Sequence, residues 1–172
     1  ELARRMEMRA PSLYNYFSGK MDIYDALFRM GFTLYAGQVE ELLKNVETLR
    51  DEIRVHFEAY LSFAIANPEL YQLCFERPVP GFVPSEASLQ LSFGILQRSY
   101  ERAERTKSEY APETDLSAQQ TVDLVIAMSH GLTAMHLANE PHLPMGQGRF
   151  GALIPVFLSI LEKSILVKGE KK

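Results

Sequence analysis

Apolar residues recur every three or four positions along most of the chain, and no stretch of useful length alternates with period two. That pattern predicts amphipathic helices and leaves no segment for a half-buried strand. A stripe of Tyr24, Leu27, Phe28, Tyr35, Val39, Leu42 and Leu43 predicts a long helix over 20–44. A second, on Leu49, Ile53, Phe57, Tyr60, Leu61 and Ala64, predicts one over 48–66. Asn67-Pro68-Glu69 reads as the start of a short helix to about Glu76, with Asn as cap, Pro at the first position and an acid in the first turn. The stretch RPVPGFVPS over 77–85 holds three prolines and a glycine and is a loop. Ser85 then caps a helix to about Ser108 on Leu89, Phe93, Leu96, Tyr100 and Ala103, followed by a polar connection containing Pro112. Helices over 116–138 and 147–167 complete the chain, with Pro155 predicting a kink or a late start in the last. The fold class is all-α, a small N-terminal helical module on a larger helical bundle.

The chain has 172 residues, room for one large domain with a small module attached. Hydrophobic residues make up 47% and charged residues 23%, which suits a packed globular body. No apolar run approaches the roughly 18 residues of a membrane span, and no charged-then-apolar leader stands at the front, so a soluble cytoplasmic protein with no membrane partner is expected. Cys74 alone can form no internal disulfide, and its context YQLCFER reads as a buried helix segment. The net charge of −4 is unevenly spread: over 1–20, Arg4, Arg5, Arg9 and Lys20 face Glu1 and Glu7 for a balance of +2, leaving −6 for the rest. Positive charge is concentrated at the front.

The opening residues ELARRM carry no initiator Met and show a helical pattern already in progress, which predicts a preceding segment of the first module. Leu2, Ala3 and Met6 share one helical face; Glu7-Met8-Arg9 forms a turn; Pro11 starts a short helix over 11–17 whose inward face is Leu13 and Phe17. Helix, three-residue turn and second short helix are the layout of a helix-turn-helix, in which the second helix enters the major groove of DNA. The outward residues are Arg9, Ser12, Tyr14, Asn15 and Tyr16. Tyrosine hydroxyls and Lys20 suit phosphate oxygens, Asn15 can pair with adenine and Arg9 with guanine.

At Leu2-Ala3 and LYNYFSGK, Leu13 to Lys20, the chain resembles the TetR family of transcriptional regulators. The resemblance implies that Leu13 and Phe17 are core, that Tyr14, Tyr16 and Lys20 touch phosphates, and that Arg9, Ala10, Pro11, Ser12 and Asn15 face bases. Glu7 stands where the family has a turn glycine, Arg9 and Ala10 replace a Ser or Thr cap, and Tyr16 replaces a His. NPELYQLCFERPVPGF from Asn67 and SHGLTAMHLA from Ser129 resemble the ligand-binding body of a subgroup named for a Trp-His-Gly motif, with Ser129 in place of the Trp. That implies residues 1–44 as the remnant of a DNA-binding domain with its connecting helix, and 45–172 as an effector-binding and dimerisation domain.

Candidate effector-pocket residues are the central aromatic and Met side chains Phe57, Tyr60, Phe93, Tyr100, Met128 and Met135. Phe150, Leu153, Phe157, Ile160 and Leu161 recur at helical spacing in the last helix and are candidates for a homodimer interface, which a helix-turn-helix needs to reach two half-sites of an operator. His130 and His136 are six apart and miss the spacing of four that pairs metal ligands on a helix, so no metal and no cofactor are expected. The reading is a non-enzymatic regulator, a repressor of double-stranded operator DNA that responds to a small apolar or amphipathic effector. A TetR-like activator, or a helical enzyme or ligand carrier, are the alternatives, although Cys74, His56, His130 and His136 show no spacing that demands an enzyme.

Overall fold

The computed structural model describes residues 12, 14–44, 46, 49–110, 116–144 and 146–165. Among these every regular element is helical. The long helix α1 is Lys20–Leu43. It is followed by α2, Leu49–Ala66, and α3, Pro68–Tyr71, which runs into a π-helical turn, Gln72–Glu76. The Pro-rich loop leads to α4, Glu86–Tyr110, and α5, Ala118–Asn139. A single turn, α6, Gly148–Gly151, precedes α7, Ile154–Ile165.

Helix α2 is the axis of the body. Phe57, Ala59, Leu61, Phe63 and Ala64 are all but inaccessible, so its buried surface is wide, and a narrower strip with Asp51 and Arg54 is left to solvent. One face packs Ile53, Phe57 and Leu61 against Val125 of α5 and Ile154, Phe157 and Leu161 of α7. Another packs Val55 and Ala59 against Val39 and Leu43 of α1, and a third packs Tyr60, Phe63 and Ala64 against Tyr71. The upper part of α1 is held separately: Phe28 and Phe32 meet Leu73 and Cys74 of the π turn and Phe82 of the loop. There Gly31 lets the two backbones approach, since a Cβ at that position would lie 2.5 Å from the Cys74 sulfur.

The helix ends follow from local chemistry. Ser117 and Gln120 satisfy each other's backbone N–H groups at the start of α5. Pro155 occupies the second position of α7, where a missing N–H costs nothing, so the break falls at Ala152-Leu153 as a late start and not as a kink. Asn67 does not cap α3 with its side chain; its Nδ2 donates back to the Phe63 carbonyl and closes α2. The short N-terminal helix also ends earlier than the predicted residue 17: Tyr14 is helical and Asn15 and Tyr16 form a turn. A continued helix would bond the Ser18 N–H to the Tyr14 carbonyl, but that N–H donates to the Asp22 carboxylate at 2.8 Å.

Candidate ligand cavity and nucleic-acid interface

The tip of α1 and the turn before it form one polar surface. Tyr14 and Tyr16 are 64% and 75% exposed, and Asn15 and Lys20 are exposed beside them, whereas Ser12 and Phe17 are half-buried. Two aromatic rings this open have little packing role to explain them. The Lys20 ammonium lies 5.3 Å from the centre of the Tyr24 ring, which keeps it near the helix end. Arg9, Ala10 and Pro11, the other residues expected at bases, lie outside the described residues, as does Leu13.

Five residues into α1, Asp25 ties this tip to the body. Its carboxylate accepts hydrogen bonds from the Ser85 N–H at 2.7 Å, the Ser85 hydroxyl at 2.9 Å and the Ser88 hydroxyl at 2.9 Å, and pairs with Arg29 at 3.0 Å. Partial burial pushes the Asp25 carboxyl up, but the donors from Ser85, Ser88 and Arg29 outweigh it and hold the group below its ordinary value. Ser85 is at the same time the cap of α4, accepting from the Ser88 N–H at 3.3 Å. The start of α4 is therefore fastened to the first turns of α1.

Between α1, α2, α4 and α5 lies a cavity of about 370 Å³, in the size range of sites for small organic ligands. Phe32, Tyr35, Tyr60, Phe75, Phe93 and Ile126 supply apolar wall. Its ionised groups are few. Glu52 of α2 and Arg102 of α4 pair at 2.8 Å, and Arg77, held at φ 50° where the π turn ends, is exposed at the edge. His56, one turn from Glu52, is pushed down to about 4 by burial and then by the charge of Arg102, so it is neutral at physiological pH. Burial pushes the Cys74 thiol up to about 12 and raises Tyr35 and Tyr60 well above their ordinary values. Behind the wall, the Tyr60 hydroxyl and His130 Nδ1 are 2.8 Å apart, with the Tyr71 hydroxyl 3.4 Å from the same nitrogen.

Of the six aromatic and Met residues expected at a pocket, Tyr60 and Phe93 are on this wall. Phe57 does not line the cavity: it is fully buried behind Ile53 and Val125, its ring 5.6 Å from that of Phe157. The Tyr100 hydroxyl donates to Asp123 at 2.7 Å outside the cavity. Met128 and Met135 are exposed, sharing with Leu124 the outer stripe of α5. The last helix likewise divides in two. Phe157 and Leu161 are buried against α2, Phe150 is half-buried, and Leu153 and Ile160 join Val156 on an exposed stripe. Sequence reasoning did not single out Glu52, Arg102 or Ser129 for the cavity. Two signals pointed there: the polar pair Glu52 and His56, four apart in an apolar helix, and a small Ser where the resembled motif has Trp.

Among the described residues no group of three or more His, Cys, Asp or Glu could hold a metal ion, and no helix is long and apolar enough to cross a membrane.

No protein-family model matches the chain. A curated protein named HTH-type transcriptional activator FasR, from Mycolicibacterium smegmatis (strain ATCC 700084 / mc(2)155), is 29% identical over 77 residues, which are 45% of this chain and 35% of that protein. The match thus spans about a third of that relative's length. Among solved structures, a protein of unknown function from Rhodococcus sp. RHA1 superposes with a TM-score of 0.76 at 18% identity, covering 95% of this chain and 82% of that one. A TetR family transcriptional regulator from Chloroflexus aurantiacus J-10-FL superposes with a TM-score of 0.56 at 18% identity, covering 94% and 73%. At such identities the likeness is one of fold, and the all-α architecture of this chain is that of these proteins.

Proposed function

We propose that the protein is a DNA-binding transcriptional regulator of the TetR type, a homodimer that binds a palindromic operator and answers to a small molecule held in its body. The observation that carries this reading is the double use of α1. Its tip bears Lys20 beside the exposed Tyr14, Asn15 and Tyr16, and Phe32 and Tyr35 on the same rigid helix line the cavity. About 22 Å of helix separates Lys20 from Tyr35, so a ligand that tilts the cavity end displaces the tip. In this reading Tyr14, Tyr16 and Lys20 hold phosphates, and Arg9, Ala10, Pro11, Ser12 and Asn15 face bases.

Dimerisation is supported by two exposed apolar stripes, Leu124, Met128 and Met135 on α5, and Leu153 just before α7 with Val156 and Ile160 on it. A two-fold pairing of these stripes would set the spacing of two tips against two half-sites. Repression by occupying a promoter is the first reading of the control. Activation is the second, favoured by the name of the curated relative.

The test is fluorescence anisotropy of the full chain on palindromic duplexes from upstream of its own gene, at two salt concentrations, with a scrambled duplex as control. Tight, salt-dependent and sequence-selective binding at two protomers or a multiple per site is expected. Binding no tighter than to the scrambled duplex overturns the reading.

A further inference from the structure

The charges on the cavity lining do not balance. Glu52 is its one carboxylate among the described residues and is taken by Arg102, and His56 beside it is neutral. Arg77 is left over: it stands in no ion pair among the described residues, and its neighbour Glu76 is off the lining and acts on the Tyr71 hydroxyl. The two charged places are also far apart. Phe75 gathers the aromatic wall, its ring centre 5.3 Å from that of Phe32, 5.5 Å from Tyr35 and 4.8 Å from Tyr60. Arg77 follows two residues later, whereas Glu52 lies eight residues before Tyr60 on α2, about 12 Å along the helix axis. An apolar length of cavity thus runs from the neutral pair towards an exposed cation at the edge.

The backbone singles out the same residue. Arg77 has φ 50° where the π turn ends, a left-handed conformation that glycine adopts without strain. At the other three positive-φ positions among the described residues the chain uses glycine, at Gly81, Gly146 and Gly148. A long cationic side chain kept in a strained conformation, at the end of a π turn and on the rim of a cavity, marks a residue whose side chain has a task.

We infer that the cavity takes an amphipathic monocarboxylate, whose carboxylate pairs with the Arg77 guanidinium at the mouth and whose apolar body lies inward between Phe32, Tyr35 and Phe75. At the exposed mouth both charges keep part of their water, so the pair forms at little desolvation cost; the same carboxylate pushed inward would be stripped of water and meet Glu52. A cationic ligand finds no carboxylate that is not already paired. The inference rests on the reading of this cavity as the ligand site of the regulator.

The experiment is isothermal titration calorimetry of the full chain, Arg77→Gln and Arg77→Gly with three ligands sharing one body: biphenyl-4-carboxylate, its methyl ester and 4-(aminomethyl)biphenyl. The carboxylate should bind about tenfold more tightly than the ester, the worth of a two-pronged charged hydrogen bond, and the amine most weakly. Added salt should narrow the gap, because the pair is exposed, and this tests the parent without any variant. Both variants should bring carboxylate and ester level, and Arg77→Gly should do so without lowering the urea midpoint, since glycine relieves the strain. An ester or amine that binds as tightly as the carboxylate, a preference that ignores salt or survives both variants, or no binding of any of the three overturns the inference. Operator binding on the same preparations separates the two claims. Retained operator binding without carboxylate preference removes only the ligand class, and carboxylate preference without operator binding removes only the regulator.

Discussion

The tip and the middle of α1 follow opposite rules. Its tip is a run of neighbours in sequence, Tyr14 to Lys20, whose polar ends face water and whose rings have little to pack on. Its middle, around Phe32 and Tyr35, is enclosed by residues from three other helices, and every charge brought near it is paired, neutral or left at the edge. The tip therefore contributes little to stability and carries its chemistry locally, whereas the middle contributes much and carries its chemistry through partners tens of residues away. If that contrast is right, substitutions in the two regions separate stability from recognition.

The sharpest test on the body side is Phe57→Ala. Phe57 is fully buried between Ile53, Leu61 and Phe157, behind the cavity wall and far along the chain from the tip. Its loss should cost about 3–5 kcal/mol in urea unfolding while the folded fraction keeps its DNA affinity. A fall in affinity at temperatures where the variant remains folded would join what the comparison separates.

Asp25→Ala acts at the junction. It removes the acceptor shared by Ser85 and the fully buried Ser88, and should cost about 1–3 kcal/mol. It also frees the start of α4, a cavity wall, from the helix that carries Lys20. The dependence of DNA affinity on a ligand of the cavity should then shrink towards none, as anisotropy with and without that ligand would register. A variant that loses stability but keeps its full response would place the coupling elsewhere.

These contrasts also mark what could be read from the sequence. Every long helix was legible, because an apolar stripe of period near 3.6 is a property of one segment, and the Pro155 alternatives were a kink or a late start, of which packing selected the second. At the tip, Tyr14, Asn15 and Tyr16 are exposed as the outward residues of the motif were expected to be, but Ser12 is half-buried and the helix ends before Asn15, because the Ser18 N–H bonds Asp22 instead. The cavity was not legible, because a stripe tells which face is buried but not what it faces: Phe57 and Tyr60 are three apart on α2, yet one meets α7 and the other the cavity. Met128 and Met135 lie on the opposite side of α5 from Ser129 for the same reason of angle, and periodicity alone cannot say which side is solvent. The pairing of Glu52 with Arg102, fifty positions away, has no local signature at all.

A smaller effect belongs to His56. An unfolded His takes up a proton below its ordinary 6.5, but the native one resists until about 4. As pH falls through that window the unfolded state gains the proton first, so stability declines, by at most about 1.4 kcal/mol per pH unit from this one site. Urea midpoints between pH 7 and 4 should show the slope, and His56→Gln should flatten it. Asp25 cannot account for it, because a carboxyl held below 3.8 gives up its contribution only in more acid solution.

The smallest change in stability and the clearest in recognition belong to the tip. Tyr14 and Lys20 are exposed, so Tyr14→Phe and Lys20→Ala should each leave the unfolding free energy within about 0.5 kcal/mol of the parent. Lys20→Ala removes a cation proposed to sit on a phosphate, and one ion pair fewer should lower the slope of log affinity against log salt by about 1 on operator and scrambled duplex alike. Tyr14→Phe removes a neutral hydroxyl, so it should weaken both complexes while leaving the slope as it was. The pair of variants separates charge from hydrogen bonding at the same surface. A Lys20→Ala slope equal to the parent's would take Lys20 off the phosphate backbone, and a loss confined to the operator would move the residue from positioning to base reading.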